Sequence, residues 1–137
     1  MITKFKGTKS VSSLEFLRYF KQFRYEKLGR DDEAEKAFKE GLSYDPEFCE
    51  ILCNLGNLYR RRGMVAEAVR VFKLCDPIAS NLTPETTALF YNNFGIALKS
   101  NGEFMQAKTF FMKALQLMPE KHPNFDILVN NYNSVGS

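Results

Sequence analysis

Apolar residues recur along this chain at intervals of three and four, the spacing that places side chains on one face of an α-helix. Seven such segments follow one another, separated by glycines or by capping residues that precede a proline. No run of residues alternates apolar and polar side chains as a half-buried strand would. The pattern therefore predicts an all-α fold of about seven helices, arranged as antiparallel pairs with short turns.

Side chains that cap helices mark several of the expected helix starts. The candidate caps are Asp31 or Asp32, Asp45 and Thr83. The last two precede a proline and a glutamate, and both of these residue types suit the first turn of a helix. At Pro77 the fourth helix should end or distort, because the proline ring blocks the hydrogen-bond ladder.

One spacing of small and large residues occurs three times. A turn glycine is followed by an alanine after five residues, by a phenylalanine after four more, and by a small residue after another three. The three series are Gly29, Ala34, Phe38 and Gly41; Gly63, Ala68, Phe72 and Cys75; and Gly102, Ala107, Phe111 and Ala114. The alanine lets paired helices approach closely and the phenylalanine fills the space beside it. The turn glycine takes a backbone conformation that is costly for other residues.

These segments resemble the tetratricopeptide repeat family, whose pattern is an aromatic residue, then Leu-Gly, Tyr, Ala, Phe, Ala and Pro over about 34 residues. The middle copy matches at Leu55, Gly56, Tyr59, Gly63, Ala68 and Phe72. The third copy matches at Tyr91, Gly95, Gly102, Ala107, Phe111, Ala114 and Pro119. The first copy matches at Tyr25, Gly29, Ala34, Phe38 and Pro46. The resemblance covers about residues 13–132.

The resemblance implies a right-handed superhelix of three helix pairs and one terminal helix. A flexible basic arm is expected at residues 1–11, and the tetratricopeptide repeat domain at residues 12–137. The expected repeats span about residues 15–48, 49–82 and 84–120, with the terminal helix at about residues 123–134. That last helix is either a polar cap or the start of a further repeat in a longer array.

The sequence departs from the family pattern in two places. The interval from Ala34 to Ala68 is 34 residues, whereas that from Ala68 to Ala107 is 39. The extra residues fall around 77–86 and are expected to lengthen the helices there, as in the longer repeats of the kinesin-light-chain type. The first helix carries an aromatic stripe, consisting of Phe16, Tyr19, Phe20 and Phe23. This stripe is either buried by a turned or slipped helix, or it faces the groove.

In this family the first helix of each pair lines a concave groove. The resemblance assigns to this groove Asn54, Asn57, Arg60, Arg61, Asn92, Asn93, Lys99 and Asn131. Three asparagines, Asn54, Asn93 and Asn131, hold equivalent places and are expected to form a ladder that reads the backbone of an extended peptide. Solvated asparagines would give the same pattern. The basic groove residues favour an acidic peptide or the C-terminus of a partner protein, unless they form a merely solvated face.

The chaperone-binding members of the family hold a terminal carboxylate with Lys and Asn from one repeat, Asn from the next, and Lys and Arg from the third. In this sequence Tyr19 and Phe23 stand at the first two places, and Leu89 and Asn93 replace the basic pair. This carboxylate clamp is therefore largely absent, and binding to heat-shock chaperone tails is not predicted.

Composition narrows the classes of partner. The 19 basic and 16 acidic residues give a net charge of +3, which is too mild to indicate nucleic acid. No apolar stretch approaches the roughly 20 residues that a membrane span needs, and no signal peptide is evident. The odd total of 3 cysteines favours a reduced, cytoplasmic setting.

Two cysteines, Cys49 and Cys53, lie one helical turn apart and raise the question of a metal site. Structural zinc takes about four ligands, and the only histidine, His122, is far along the sequence. Buried small thiols are the favoured interpretation, so neither a metal nor a cofactor is predicted.

No serine or cysteine stands in a nucleophile-elbow pattern, and the sequence has no glycine-rich phosphate loop. The protein is therefore predicted not to be an enzyme, but a scaffold or adaptor that binds a peptide or helical segment of another protein in its groove. Two alternatives stay open. One is a self-associating scaffold, in which the aromatic stripe or the open face of the last helix pairs with a second copy. The other is an accessory domain of a larger enzyme.

Overall fold

The computed structural model describes residues 30–136. This part of the protein forms six α-helices and one 3-10 helix, and it contains no strand. The α-helices are α1 (Asp31–Tyr44), α2 (Cys49–Arg61), α3 (Val65–Cys75), α4 (Pro84–Ser100), α5 (Phe104–Leu117) and α6 (Phe125–Asn133), and the 3-10 helix spans Asp76–Asn81. The predicted all-α fold is confirmed. The helix expected before Gly29, its aromatic stripe at residues 16–23 and the arm at residues 1–11 lie outside the described residues.

Close contact between a glycine and a phenylalanine holds the helices of two pairs together. In the α4–α5 pair, a Cβ atom added to Gly95 would lie 2.6 Å from Phe111 Cε1. In the α2–α3 pair, a Cβ atom on Gly56 would overlap the ring of Phe72 in the same way. Both phenylalanines are fully buried. The glycines therefore allow each ring to lie directly against the backbone of the partner helix.

The turns inside these pairs depend on two further glycines. Gly63 and Gly102 have φ angles of 77° and 81°, in the left-handed region that other residues enter at a cost. In the first turn, the amide of Met64 donates to the carbonyl of Tyr59 at 2.8 Å, which closes the end of α2. The role predicted for the turn glycines is confirmed at these two positions, and the third, Gly29, lies outside the described residues.

Two predicted helix caps are wrong and one is confirmed. The Thr83 side chain accepts a hydrogen bond from the amide of Thr86 at 3.3 Å and caps α4 as expected. Asp45 lies four residues before α2 begins, and its Oδ1 accepts from the amide of Glu47 at 3.0 Å. Its carboxylate therefore stabilises the turn between α1 and α2 instead of the helix start.

The acidic residues at the start of α1 also differ from the prediction. Arg30 is the N-cap residue, and Asp31 and Asp32 lie inside the first turn. There they interact favourably with the positive end of the helix dipole without capping it.

The extra residues between the second and third copies form helix. The α3 helix ends at Cys75 and the backbone continues as the 3-10 helix from Asp76, with Pro77 in its first turn, so the predicted end or distortion at this proline is confirmed. The following helix, α4, begins eleven residues before Gly95, whereas α2 begins only seven before Gly56. The predicted lengthening is therefore about one helical turn at the start of α4.

Aromatic rings join the pairs into one core. The Phe72 ring lies 5.8 Å from Phe90 and 5.7 Å from Phe94, and Phe94 lies 4.4 Å from Phe110. These contacts connect α3, α4 and α5. On the other side of the pairs, α2 contacts α4 and α4 contacts α6, so these three helices form a neighbouring layer. Within the described residues, none of the helices combines the length and the apolar character needed to cross a bilayer.

Candidate functional site

A polar stripe runs along the face of α2 that carries the predicted groove residues. Asn54, Asn57 and Arg60 follow one another at intervals of three, so they lie on one side of the helix. All three are half-buried, whereas the neighbouring Arg61 is exposed. This stripe is called the α2 face below.

Two atoms of the α2 face are buried without a hydrogen-bond partner among the described residues. They are Oδ1 of Asn57 and Nε of Arg60. Most buried polar atoms in folded proteins are hydrogen-bonded, and leaving one unpaired costs about 1–3 kcal/mol. The acceptor Asn57 Oδ1 and the donor Arg60 Nε therefore lie about one helical turn apart. Both are buried, and neither has a hydrogen-bond partner among the described residues.

The charge on the α2 face is concentrated at Arg60. Burial lowers the pKa of its guanidinium, and repulsion from Arg61 adds to this effect. The pKa is lowered because the charged form has lost hydration without gaining a counter-ion. A carboxylate brought to this side chain would supply the missing charge.

The neighbouring arginines pair with α1 instead of standing open. Arg61 lies 3.5 Å from Asp31, and Arg62 lies 3.2 Å from Asp32 and 3.1 Å from Glu35. The prediction that Arg61 adds open positive charge to the groove is therefore corrected, because an acid at the start of α1 compensates it.

The carboxylate of Glu35 is the centre of this contact between α1 and α2. It accepts hydrogen bonds from Lys39 Nζ at 2.8 Å and from Tyr59 Oη at 2.9 Å, in addition to the arginine contact. The bond from Lys39 lowers the pKa of Glu35 against the opposing effect of burial. The sequence analysis missed this network. Acidic residues in the first turn of one helix and arginines in the last turn of its antiparallel partner could have indicated it.

On α4 the predicted groove residues separate into two groups. Asn93 is half-buried, occupies the place equivalent to Asn54, and like Asn54 makes no side-chain hydrogen bond to another residue in the range 30–136. Asn92 is only 6% exposed, and its Oδ1 accepts from Asn131 Nδ2 at 2.8 Å. The prediction that Asn92 opens into the groove is therefore wrong, because the side chain is buried against α6.

The contacts of α6 also remove two other residues from an open groove. Asn131 is paired with Asn92, so the expected third rung of the asparagine ladder is engaged inside the molecule. Lys99 Nζ donates to Ser134 Oγ at 2.9 Å, just past the end of α6. Both side chains hold α6 against α4, which leaves Asn54, Asn57, Arg60 and Asn93 as the side chains of the candidate site.

The three cysteines lie together between α2 and α3. Cys49 and Cys75 form a disulfide, with Cα atoms 5.4 Å apart, and Cys53 is a free thiol beside them. Burial raises the pKa of Cys53 to about 12, with a smaller contribution from the charge of Glu50. The interpretation of Cys49 and Cys53 as simple buried thiols is corrected for Cys49, which is disulfide-bonded, whereas Cys53 is a free, half-buried thiol. The missed signal is Cys75, which stands where the third copy has Ala114.

Comparison with protein families gives the same repeat pattern on two stretches of the sequence. Two models with the description Tetratricopeptide repeat match, one over residues 37–70 and the other over residues 25–48 and 88–121. Together these ranges cover more than half of the sequence. The chain belongs to the tetratricopeptide repeat family. No curated protein sequence shows a significant match to this tetratricopeptide repeat protein.

Several solved structures share the fold of this tetratricopeptide repeat protein. The Yersinia enterocolitica type III secretion chaperone SycD, in complex with a peptide of the translocator YopD, has a TM-score of 0.73 at 21% identity over 90% of each protein. PcrH, in complex with the chaperone binding region of PopD, has a TM-score of 0.76 at 19% identity, over 90% of this protein and 93% of PcrH. The first TPR of Spaghetti (RPAP3), bound to the HSP90 peptide SRMEEVD, has a TM-score of 0.72 at 22% identity, over 90% of this protein and 94% of that one.

Proposed function

We propose that this protein is a non-catalytic, cytoplasmic adaptor that binds an extended acidic peptide segment of another protein along α2 and α4. The contacting side chains would be Asn54, Asn57, Arg60 and Asn93. The observation that carries the proposal is the pair of buried atoms on the α2 face that lack a partner among the described residues, Asn57 Oδ1 and Arg60 Nε.

The main chain of a peptide offers both of the groups that these two atoms require. A peptide N–H would donate to Asn57 Oδ1, and a carbonyl or carboxylate oxygen would accept from Arg60 Nε. Both protein atoms are buried, so the Asn57 and Arg60 side chains would have to turn outward to reach the peptide. The new hydrogen bonds would then satisfy two polar atoms that have no partner among the described residues. This favours binding of main-chain groups, with a side-chain preference added by charge.

The charge of Arg60 supports an acidic segment over a neutral one. Its guanidinium is half-buried and has no ion pair within the described residues, whereas Arg61 and Arg62 are compensated by acids of α1. Hydrogen bonds between ionised groups are about twice as strong as those between neutral groups. A carboxylate beside Arg60 would therefore add both affinity and orientation.

The comparisons support the class of ligand without identifying it. All three related structures described above were solved with a peptide or a chaperone binding region of a partner protein. SycD holds a peptide of a translocator, PcrH holds the chaperone binding region of PopD, and the third structure holds the peptide SRMEEVD. Because Leu89 and Asn93 replace the basic pair of the carboxylate clamp, we do not extend the proposal to heat-shock chaperone tails.

The experiment is a selection of short linear peptides on the immobilised full-length protein, followed by fluorescence polarisation with the selected peptides. Arg60→Gln should weaken binding of an acidic peptide about tenfold or more, or roughly 1.4 kcal/mol. Arg70→Gln is the matched control, because Arg70 is exposed on α3 beside Glu67. Equal affinity of wild type, Arg60→Gln and Arg70→Gln for every selected peptide would contradict the proposed site.

Self-association is the second candidate function, and one side chain of α6 favours it. Ile127 is 54% exposed on the face of α6 that was expected to be open. Burying such a side chain against a second copy would remove apolar surface from water. Light scattering over a range of concentrations tests this, since Ile127→Asn should abolish any dimer, and a wild-type monomer throughout would exclude self-association.

The cytoplasmic location rests on the odd number of cysteines and is opposed by the disulfide. Disulfides such as Cys49–Cys75 are uncommon in reducing compartments. A cytoplasmic protein should therefore carry three reduced thiols. Alkylation of intact cells followed by mass spectrometry measures this directly, and a stable Cys49–Cys75 disulfide in the recovered protein would argue against the location.

A further inference from the structure

The cysteines of the central helix pair converge on one point. Cys49 and Cys53 lie on successive turns of α2, and Cys75 is the last residue of α3. Because the two helices are antiparallel, the end of α3 lies beside the start of α2. The three Sγ atoms all lie within 4.8 Å of one another, and those of Cys53 and Cys75 are 3.4 Å apart.

We propose that the reduced protein binds one monovalent copper ion, Cu(I), through the three sulfur atoms of Cys49, Cys53 and Cys75. The three donors form a triangle with one member on each of two turns of α2 and one at the end of α3. Metal–sulfur bonds of about 2.3 Å place three sulfur atoms around one ion roughly 4 Å apart. The sulfur atoms of Cys49 and Cys75 are bonded to each other in the disulfide, so they must move apart after reduction, while Cys53 and Cys75 at 3.4 Å need only a small adjustment.

The donor set decides the class of metal. It consists of sulfur only, and thiolates select soft ions such as Cu(I) over magnesium or calcium. Structural zinc prefers about four protein ligands, whereas this cluster supplies three. Cu(I) accepts three-coordinate sulfur, so the number of donors and their softness favour the same ion.

Oxidation and metal binding use the same sulfur atoms and exclude one another. The disulfide between Cys49 and Cys75 leaves only the Cys53 thiol as a donor. Two equivalents of a thiol reductant reduce the Cys49–Cys75 disulfide to two cysteine thiols and form one disulfide of the reductant. Three S–Cu bonds then form as three S–H bonds break, the protons pass to solvent, and copper remains monovalent.

The position of Cys53 gives the ion a route to the cluster. Cys53 is half-buried, whereas Cys49 and Cys75 are buried. Cys53 also directly precedes Asn54, the first residue of the α2 face, in the sequence. All 3 cysteines of the sequence belong to this cluster, so a thiol-bound ion can be assigned without ambiguity.

The test is an anaerobic titration of the full-length, reduced protein with Cu(I) in the presence of bicinchoninate, a chromogenic chelator that competes for the ion. We expect one ion per molecule, with sulfur-to-copper charge-transfer absorption in the near ultraviolet. Cys53→Ser and Cys75→Ala should each lower the affinity by more than about 100-fold, beyond the range typical of changes outside the ligand shell. Cys75→Ala should fold normally, because the third repeat has Ala114 at the equivalent place.

Circular dichroism on each variant separates loss of the ligand from loss of fold, and the exposed change Met105→Leu is the control for copper bound elsewhere. Unchanged copper affinity in the folded Cys75→Ala variant would overturn the proposal. Failure of the wild type to compete with bicinchoninate would overturn it as well, as would Zn(II) displacing Cu(I) at equal concentration.

Discussion

The central repeat, formed by α2 and α3, and the third repeat, formed by α4 and α5, place basic side chains at equivalent positions. In the third repeat this residue is Lys99, which is bonded to Ser134 at the end of α6. In the central repeat it is Arg60, whose buried Nε has no partner among the described residues. The basic residue at this position therefore makes a contact between helices in the third repeat. In the central repeat it keeps a hydrogen-bond donor that has no partner among the described residues.

The comparison extends to two of the cysteines of the central repeat. Cys53 in the central repeat is equivalent to Asn92 in the third, and Cys75 is equivalent to Ala114. Asn92 accepts a hydrogen bond from Asn131 of α6, whereas Cys53 belongs to a cluster of three sulfur atoms. Repetition of the backbone thus fixes where a side chain lies, and the neighbouring helix decides whether it is structural or available.

The largest expected effect comes from removing the phenylalanine that packs against a glycine in both repeats. Phe72→Ala and Phe111→Ala should each lower the free energy of unfolding by about 3–5 kcal/mol, because each leaves a large cavity against a glycine. Urea denaturation measures both. Met105→Ala, on the same helix as Phe111 but 88% exposed, is the control and should change little. Similar losses in both repeats are expected, and a small loss in one of them would show that the shared geometry is not equally stabilising.

A smaller effect is expected at the two turn glycines. Gly63→Ala and Gly102→Ala should each destabilise the fold by about 1–2 kcal/mol, because alanine is strained at positive φ. No atom of the described residues lies close to the position of the added Cβ at either glycine, so the cost comes from the backbone alone. Thermal unfolding measures this loss of stability, with Gln116→Ala in a helix as the control. An unchanged melting temperature in both glycine variants would refute the conformational explanation.

The next prediction sharpens the difference between the repeats. Asn92→Ala should lower the free energy of unfolding by about 1 kcal/mol, because it removes the hydrogen bond to Asn131. Asn57→Ala should cost nothing or stabilise slightly, because the Oδ1 that it removes is buried and unpaired within residues 30–136. Urea denaturation of the two variants side by side is the measurement. A larger loss for Asn57→Ala than for Asn92→Ala would mean that Asn57 already has a structural role.

The smallest expected effect is a pH dependence that starts at the junction of α1 and the central repeat. The hydrogen bond from Lys39 lowers the pKa of Glu35 from its ordinary value of 4.5 in the folded protein. The stabilisation is therefore complete above pH 4.5 and is lost as the pH falls through the lower, folded pKa. Glu35→Gln should flatten this part of the stability curve, and Glu33→Gln is the control. Identical acid limbs for wild type and Glu35→Gln would exclude the effect.

Much of the fold was predictable because its signals are local. The turn glycines, the Thr83 cap and the break at Pro77 act within a few residues of themselves, and their predicted effects are confirmed. The cap expected at Asp45 failed because a carboxylate before a proline can stabilise a turn as well as a helix start. Local chemistry permits both outcomes, and the packing of α1 on α2 selects between them.

The candidate site was less predictable, because it depends on which side chains find partners across the fold. Arg60 and Arg61 are neighbours of the same type, yet the first has a buried Nε without a partner in the described part of the protein and the second is paired with Asp31. Asn92 and Asn93 are also identical neighbours, and among the described residues only the first has a side-chain hydrogen bond to α6. Helical rotation of about 100° per residue separates such neighbours, and small differences in packing then decide their roles.

The sequence by itself determined the helices, their pairing, the repeat and the family, because periodic apolar residues and glycine–phenylalanine matching act through short-range geometry. Only the tertiary structure decided that Asn57 and Arg60 each bury a polar atom with no partner among the described residues, that Asn131 is engaged by Asn92, and that Cys75 joins Cys49 and Cys53. The physical reason is that burial and pairing are properties of the contact between helices. Such contacts join residues that are far apart in the sequence.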